Sequence, residues 1–443
     1  MAQIMPFRGL FYNPEKIEDI KAVVAPPYDV ISQDMQDMLY HRHPDNIVRL
    51  ILGKTYPDDT PTKNRYTRAS LDFKRWRSER VLVLDERPSI YYYVQTYILK
   101  SRLKKTRKGF IARSRLEEFG KGSIHPHEKT LSGPKADRLR LTEACRANFS
   151  CIFSLYSQPD LEINGLLEDS INDIPIIDVV DDEGITNKVW KVDDQFFIES
   201  IAKDIANKPL FIADGHHRYE TALNYRNLIR ERANTWTGNE PENYVMMYFS
   251  NMDDEGITIL PTHRVVHSIP NFDSKAFLLD CSTYFNIEKI EFNEKIEPRV
   301  RKEFFVRMEE MADIPQSFGL YMEGVNAYYI LTLKNRGIID REIADTIPEA
   351  FKEMDVSLLH SLILDKILGI SVKAQEGQRN LIYEKDSDAA INAVNEKCQL
   401  AFLLKPTKIE QIKRVSEAGH VMPQKSTYFY PKLLSGLVIN PLE

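Results

Sequence analysis

The chain has 443 residues, too many for one ordinary hydrophobic core, so its length predicts two or three packed units. Apolar residues make up 43% and charged residues 28%, which is the balance of a globular protein and excludes a largely disordered chain. The formal net charge of -6 provides none of the strongly basic surface typical of nucleic-acid-binding proteins. We therefore expect small-molecule ligands and no nucleic-acid partner.

The N-terminus and the cysteines indicate the compartment. Residues 1–20 have neither a basic segment before a long apolar run nor a small-residue cleavage site. No stretch reaches the roughly 20 apolar residues of a membrane-spanning helix. The four cysteines, at positions 145, 151, 281 and 398, lack the CxxC spacing of a zinc site. These features predict a cytoplasmic protein without a membrane partner.

Hydrophobic periodicity predicts alternating strands and helices, and therefore a mixed α/β (α+β) fold. The first part of the chain predicts a strand at 22–25, a helix at 66–80, a hairpin of strands at 89–99 and 109–116 across a basic turn at 104–108, a helix at 139–148 and a strand at 149–156. The rest predicts a helix at 195–206, a strand at 209–213, a helix at 219–232, a strand at 244–251, a helix-strand-helix-strand-strand unit at 271–335 and an apolar helix at 356–370.

A polar turn with the sequence DGHHR, residues 214–218, follows an apolar strand and precedes a helix. Gly215 permits an unusual backbone angle, and the unpaired N–H groups of a helix N-terminus favour anions such as phosphate. His216, His217 and Arg218 add donors, and Asp214 is suited to bind a metal or a substrate hydroxyl. The alternative is that Asp214 only caps the helix while the histidines face solvent.

A second polar segment lies between residues 117 and 138, with His125, His127 and Glu128 followed by Lys135 and Arg138. A carboxylate beside histidines can serve as a general base. A solvated loop with ordinary charges is the alternative. The two histidines lie two residues apart, which differs from the HExxH spacing of helical zinc proteases.

Two shorter motifs place polar side chains at predicted strand ends. Tyr28 and Asp29 follow a stiff Pro-Pro exit, and His263 and Arg264 lie within LPTHRVV. Each pair is either a substrate contact or a buried structural pair. The sequence contains neither a GxxxxGK[ST] loop nor a GxGxxG fingerprint, so any nucleotide site uses another scaffold.

Several motifs in order resemble the family catalogued as domain of unknown function 1015. They are VVAPPYDVI at 23–31, HPHEKT at 125–130, FIADGHHRYETAL at 211–223, LPTHRVV at 260–266, MDVSLLH at 354–360 and MPQKSTYFYPK at 422–432. The resemblance covers nearly the whole chain. That family name carries no function.

The pairing of PHE at 126–128 with DGHHR is also similar to that of archaeal free-serine kinases of the ParB and sulfiredoxin-like superfamily. The resemblance implies a kinase that uses ATP or ADP with Mg²⁺ to phosphorylate a small hydroxyl substrate. The acceptor that it favours is free L-serine. Sulfiredoxin chemistry is disfavoured because histidines stand where a thiol is required. The resemblance implies that Glu128 is the base and that Asp214, His216, His217 and Arg218 form the phosphate and substrate set. Together with the motifs above, we predict catalytic roles for Glu128, Asp214 and His217, nucleotide binding for Gly215, His216, Arg218, His127, Lys135 and Arg138, and substrate binding for Tyr28, Asp29, His263 and Arg264.

The resemblance implies a ParB/sulfiredoxin-like, catalytic nucleotide-binding core at 1–270, a small α+β subdomain at 271–345 and a C-terminal segment at 346–443 that packs on the core. Two other functions stay open. One is a nucleotide-binding regulatory switch of ParB type, and the other is a metal-dependent hydrolase using His125, His127, His216 and His217. The metal ligands and the oligomeric state are left open as well.

Overall fold

The structure is a computed structural model that describes residues 1–128, 130, 132–172, 174–311, 314–343, 349–352, 354–377, 379–423 and 425–443. The predicted domain boundary at 345/346 lies outside the described residues. Contacts divide the chain into two compact units. The first comprises Met1–Pro126, Thr130–Thr258 and Pro431–Glu443, and the second comprises His127–Lys129 and Ile259–Tyr430.

The elements up to residue 251 belong to the first unit. Its strands are β1 Ile4–Met5, β2 Leu10–Tyr12, β3 Leu82–Leu84, β4 Ile90–Ile98, β5 Lys104–Arg115, β6 Ile124–His125, β7 Ala147–Asn148, β8 Ile152–Tyr156, β9 Ile177–Val180, β10 Thr186–Val192, β11 Leu210–Asp214 and β12 Tyr244–Asn251. Its helices are α1 Gln33–Arg42, α2 Val48–Ile51, α3 Arg65–Ser78, α4 Ser132–Cys145, α5 Glu162–Asp169, α6 Gln195–Ala206 and α7 His216–Arg232.

The later elements include one more strand of the first unit. The strands are β13 Thr258–Leu260, β14 His263–Val266, β15 Phe285–Glu291, β16 Ser317–Met322, β17 Ala327–Leu333, β18 Leu381–Glu384, β19 Leu400–Leu403, β20 Tyr428–Tyr430 and, in the first unit, β21 Asn440–Pro441. The helices are α8 Ser274–Tyr284, α9 Glu297–Glu310, α10 Gly337–Glu342, α11 Glu349–Lys352, α12 Asp355–Leu358, a π-helical stretch Leu359–Ile367, α13 Val372–Glu376, α14 Ser387–Glu396 and α15 Ile409–Glu417.

A mixed sheet of nine strands organises the first unit, in the order β6-β11-β8-β12-β5-β4-β10-β9 with β1 added on β5. All eight residues of β12 are buried because both faces of this central strand are covered. Val245, Met247 and Phe249 alternate along it and join the core formed with α5 and α6. The sheet places β11 between its parallel neighbour β6, which pairs with Leu210 and Phe211, and its antiparallel neighbour β8, whose Phe153 pairs with Asp214 at the end of β11.

A second hydrophobic cluster of the first unit is built around α3. Ala69, Phe73 and Trp76 recur at helical spacing and are all buried, and Asn64 caps the helix through a capping box with Thr67. The helix predicted at 66–80 is therefore confirmed with a shift of one or two residues at its ends.

The second unit contains a six-stranded sheet in the order β15-β17-β16-β19-β14-β18. The helix-strand-helix-strand-strand order predicted for 271–335 is confirmed as α8, β15, α9, β16 and β17. Phe304 and Met308 lie on one buried face of α9 and pack with Ile391 and Val394 of α14. The mixed α/β class is also confirmed. No helix within the described part of the chain is long and apolar enough to cross a membrane.

Two local predictions are wrong. Residues 22–25 form no strand, because a 3-10 turn occupies Ile20–Ala22 and Ala25 makes only a single bridge to Ser435. The two prolines that follow cannot donate to a ladder. The hairpin turn is formed by residues 99–103, where Arg102 adopts a φ of 64°, so residues 104–108 belong to strand β5.

Gly109, in the middle of β5, allows the strands around it to approach closely. A Cβ atom there would overlap the Phe249 carbonyl oxygen and lie 2.5 Å from the Tyr248 ring. We expect Gly109→Ala to lower the free energy of unfolding by about 1–3 kcal/mol or more. Gly165→Ala is the matched control, since no atom lies within 4 Å of its added Cβ and it should stabilise α5 by about 0.5–1 kcal/mol. Equal denaturation midpoints for the two variants would contradict this packing account.

Candidate functional site

The DGHHR turn joins β11 directly to α7. Four buried apolar residues carry the chain to Asp214, and Gly215 adopts a φ of 94°. This left-handed conformation turns the backbone so sharply that α7 begins at His216, three residues earlier than predicted. The predicted strand, turn and helix are therefore confirmed, and both histidines lie in the first helical turn.

An ion triad fixes the carboxylate of this turn. Arg218 Nη2 donates to Asp214 Oδ2 at 2.7 Å, and Lys432 Nζ donates to Asp214 Oδ1 at 3.0 Å. The exposed fractions of the Asp214, Arg218 and Lys432 side chains are only 21%, 13% and 14%. Two cations share one anion, so the triad carries one excess positive charge beside the N-terminus of α7.

Sequence reasoning did not assign a role to Lys432, although it closes the MPQKSTYFYPK motif. It stands 218 residues after Asp214, and no spacing rule links the two positions. A basic residue ending a motif of aromatic and proline residues was the one signal available.

Arg218 also ties the turn to the neighbouring strand. Its Nη1 donates to the carbonyl oxygen of Cys151, the residue before β8. Its Nε lies 2.9 Å from the position that a Cβ of Gly215 would occupy. The guanidinium is thus packed under the turn with both terminal nitrogens engaged. His216 is buried, whereas His217 is partly exposed.

Lys135 pairs with a glutamate of α7. Its Nζ lies 2.6 Å from Glu220 Oε2, and the Thr130 hydroxyl donates to Glu220 Oε1 at 2.6 Å. These contacts attach the start of α4 and the preceding loop to α7, one turn after His216. The structure therefore places Lys135, on α4, against the helix that carries the two histidines.

Arg138 and Tyr28 lie together in a cleft of the first unit. The Arg138 guanidinium carbon lies 4.0 Å from the centre of the Tyr28 ring, and its Nη1 donates to the Ile51 carbonyl at 2.6 Å. Burial raises the pKa of Tyr28 against the opposing charge of Arg138. With Arg218 they line a cavity of about 640 Å³, counting its open mouth. Asp29, also predicted to bind substrate, is exposed on the 3-10 turn Tyr28–Val30.

Asp137 anchors Arg138 in this cleft. It accepts from Arg138 Nε at 2.8 Å and from the Tyr66 hydroxyl at 2.7 Å, and it also pairs with Arg65. Burial acts to raise the pKa of Asp137, but Arg138, Tyr66 and Arg65 together hold it below its ordinary value. The Asp137 carboxylate is therefore ionised at neutral pH, and the Arg138 guanidinium that it anchors lies against the Tyr28 ring.

In the second unit His127 and Glu128 contact Met422, Lys425 and Thr427. The His127 carbonyl accepts from Met422 N at 2.6 Å, and His127 Nε2 lies 2.8 Å from the Thr427 hydroxyl. Glu128 Oε1 accepts from Lys425 N at 3.0 Å. His127 is fully buried and Glu128 is partly exposed, so the carboxylate is held by backbone while it keeps access to solvent.

Arg264 is a fully buried cation of the second unit, with no exposed surface. Its Nη1 donates to the Thr262 carbonyl and its Nε to His360 Nε2 at 3.2 Å, while Nη2 has no hydrogen-bond partner in the described part of the chain. Burial lowers the pKa of Arg264 to about 10, and Tyr383 and Glu128 oppose this shift. The guanidinium is therefore charged at neutral pH and attracts Glu128.

His263, the neighbour of Arg264, has a structural position. Its Nε2 lies 2.9 Å from the Ser387 hydroxyl, and its Nδ1 accepts from Leu404 N at 3.1 Å. The ring is buried, with both nitrogens engaged.

The burial of His360 makes the stability of the protein sensitive to acid. Burial and the charge of Arg264 lower the pKa of His360 from 6.5 to about 3, although Gln375 raises it. Between these pH values the unfolded chain binds a proton and the folded chain does not, so folding loses stability as the pH falls. We expect the free energy of unfolding to drop by about 1.4 kcal/mol per pH unit from this residue.

Calorimetry at pH 7, 6 and 5 tests this expectation. His360→Gln should flatten the acid slope of stability, and His41→Gln, at an exposed histidine, should leave it unchanged. A His360→Gln protein with the wild-type slope would show that this histidine is not the buried neutral group.

No three His, Cys, Asp or Glu side chains within the described residues are grouped so that they could hold a metal ion. Both oxygens of Asp214 already accept from cations. The donor set of the turn therefore does not fit a protein-held Mg²⁺.

Comparisons with known proteins give low-identity structural likenesses. A free serine kinase in complex with AMP is 13% identical, with 69% of this chain and 83% of that chain covered and a TM-score of 0.31. A conserved hypothetical protein from Pyrococcus furiosus is 14% identical, with 69% and 87% covered and a TM-score of 0.30. SbnI with a C-terminal truncation from Staphylococcus aureus is 10% identical, with 72% and 84% covered and a TM-score of 0.32.

The search of curated proteins finds no match. The family model described as a protein of unknown function, DUF1015, matches residues 4–357, well over half of the chain. The resemblance of the motifs to this family is thereby confirmed. The chain belongs to the DUF1015 family.

Proposed function

We propose that the protein is a kinase that transfers the terminal phosphoryl group of ATP or ADP to a small hydroxyl compound, with free L-serine as the acceptor. The observation that carries the proposal is the DGHHR turn. Its left-handed glycine opens a helix of 17 residues whose first turn holds two histidines beside a positively charged ion triad. We further propose a ParB/sulfiredoxin-like core for this site, as the PHE and DGHHR motifs imply.

The turn has the properties that bind a nucleotide phosphate. The first N–H groups of a helix have no intrahelical partner, and the helix dipole adds roughly half a positive charge at this end. The triad contributes one more. Phosphoryl transfer depends mainly on such positioning and charge neutralisation, because the protein has little covalent chemistry to perform.

The residues of the turn take separate roles in this proposal. Gly215 leaves room for the Arg218 guanidinium beside the backbone and turns the chain into α7, and the partly exposed His217 contacts the phosphate. Asp214 positions the two cations rather than acting as a base, since both of its oxygens accept from them.

Glu128 is the proposed general base. A carboxylate can remove the proton of an acceptor hydroxyl as that oxygen attacks the terminal phosphorus and the bond to the leaving phosphate oxygen breaks. The Lys425 N–H donates to Oε1 of Glu128, and the charge of Arg264, in the same unit, attracts the carboxylate. Both features orient the carboxylate.

Mg²⁺ enters the proposal as part of the nucleotide substrate, because that ion is commonly held through nucleotide phosphates and water.

Glu128→Gln should abolish phosphoryl transfer while nucleotide binding changes little, because the amide keeps the shape and the Lys425 contact but cannot accept the proton. Phosphorus NMR of the protein with ATP or ADP, Mg²⁺ and L-serine should show O-phosphoserine for the wild type. We expect a loss of at least 100-fold in the variant, the range typical of general-base removal.

Glu384→Gln is the matched control, since Glu384 of the same unit also accepts backbone N–H groups, at 2.8 and 3.1 Å. It should keep full activity. Retained activity in Glu128→Gln would remove this residue as the base. Nucleotide turnover that needs no acceptor would instead favour a ParB-type switch, and stoichiometric zinc in the purified protein would favour a hydrolase.

A further inference from the structure

We infer that Lys432 is the side chain that grips the terminal phosphate of the nucleotide, and that Arg218 is the fixed clamp of the same turn. The inference rests on the proposed function and names a further ligand-binding residue within it. Three features distinguish the two cations. They are the hydrogen bonds of Arg218 to the sheet and to Asp214, the flexible side chain of Lys432, and the hydrogen bonds that hold the backbone at Lys432.

Arg218 is committed to the architecture of the turn. Nη1 donates to the carbonyl of Cys151, the residue before β8, and Nη2 donates to Asp214 Oδ2 at 2.7 Å. Nε lies next to the position that a Cβ of Gly215 would occupy. Moving this guanidinium toward a ligand would break the link between the turn and the sheet. A planar group with fixed donors suits this role.

Lys432 reaches the turn from the end of the chain. Its ammonium is a compact charge on a flexible four-carbon stem, 3.0 Å from Asp214 Oδ1. A small rotation of this stem exchanges the Asp214 carboxylate for a phosphate oxygen, and Arg218 still neutralises Asp214 afterwards. One charge-assisted hydrogen bond to Lys432 then replaces another.

The backbone behind Lys432 is held by a buried polar cluster of the first unit. Arg107 Nη2 donates to the Pro431 carbonyl at 2.6 Å, and Gln95 Nε2 donates to the Lys432 carbonyl at 3.1 Å. Gln95 is itself oriented by Asn187 Oδ1 at 2.9 Å. The stem can therefore rotate while its base stays in place.

Arg107 shows how strongly this anchor is built. It is only 1% exposed, and no carboxylate of the described residues pairs with it. Its guanidinium carbon lies 4.6 Å from the Phe153 ring centre. Burying a cation without a counter-ion is costly. Arg107 Nη2 donates to Gln95 and to the Pro431 carbonyl, which fixes the segment that delivers Lys432, while Nε has no hydrogen-bond partner among the described residues.

Lys432→Met should weaken ADP binding by about 10- to 100-fold, the effect of removing one charged hydrogen-bonding group. Adenosine, which lacks phosphate, should bind with an unchanged Kd. Isothermal titration calorimetry of the full chain with each ligand measures both constants. Lys191→Met is the matched control, because Lys191 of the same unit forms a comparable ion pair with Asp85 at 2.7 Å. It should leave both constants unchanged.

Equal weakening of ADP and adenosine, or unchanged ADP binding, in Lys432→Met would overturn the inference. If that variant fails to fold, Gln95→Leu decides, since it loosens the Lys432 backbone and keeps the charge. It should weaken ADP by a smaller factor, about 3- to 10-fold, again without affecting adenosine. A wild-type protein that binds no nucleotide would contradict the proposed function itself. This result is distinguishable from both variant outcomes, because it is measured on the wild type.

Discussion

The ion triad of Asp214, Arg218 and Lys432 is the interaction on which the candidate site depends. A single carboxylate holds two cations at hydrogen-bond distance with little solvent exposure. Desolvation strengthens such attractions, and removing Asp214 would leave two cations side by side without their shared carboxylate. The left-handed Gly215 makes the triad possible, because it lets α7 begin at His216, two residues after Asp214. The left-handed conformation of Gly215, the ion triad and the N-terminus of α7 are therefore parts of one local arrangement.

Each unit joins segments that are far apart in the sequence. In the first, Pro431–Glu443 returns to the nine-stranded sheet and brings Lys432 to the end of β11. In the second, His127 and Glu128 contact Met422, Lys425 and Thr427, so the backbone of one motif orients the carboxylate of the other. The motifs thus share contacts as well as order along the chain. In the proposed function the DGHHR turn binds phosphate and Glu128 accepts the proton, which are two roles that phosphoryl transfer to a hydroxyl requires.

Local periodicity predicted much of the fold. The eight buried residues of β12, the helical spacing in α3 and the element order of 271–335 all follow from side-chain patterns within short windows. The DGHHR turn was predictable because an apolar strand, a glycine and a helix are adjacent in sequence. Lys432 was not, since its role depends on a contact between positions 218 residues apart. The buried pair of Arg264 and His360 also escaped prediction, because periodicity does not reveal which polar residues lose their solvent.

The most direct measurement of the central claim is a crystal structure of the full chain with ADP. The account predicts the terminal phosphate at the N-terminus of α7, with its oxygens about 2.7–3.1 Å from the backbone N–H groups of His216 and His217 and from Lys432 Nζ. Arg218 should still hold Asp214 and the Cys151 carbonyl in that complex. A phosphate bound away from the start of α7, with Lys432 still paired to Asp214, would contradict the account.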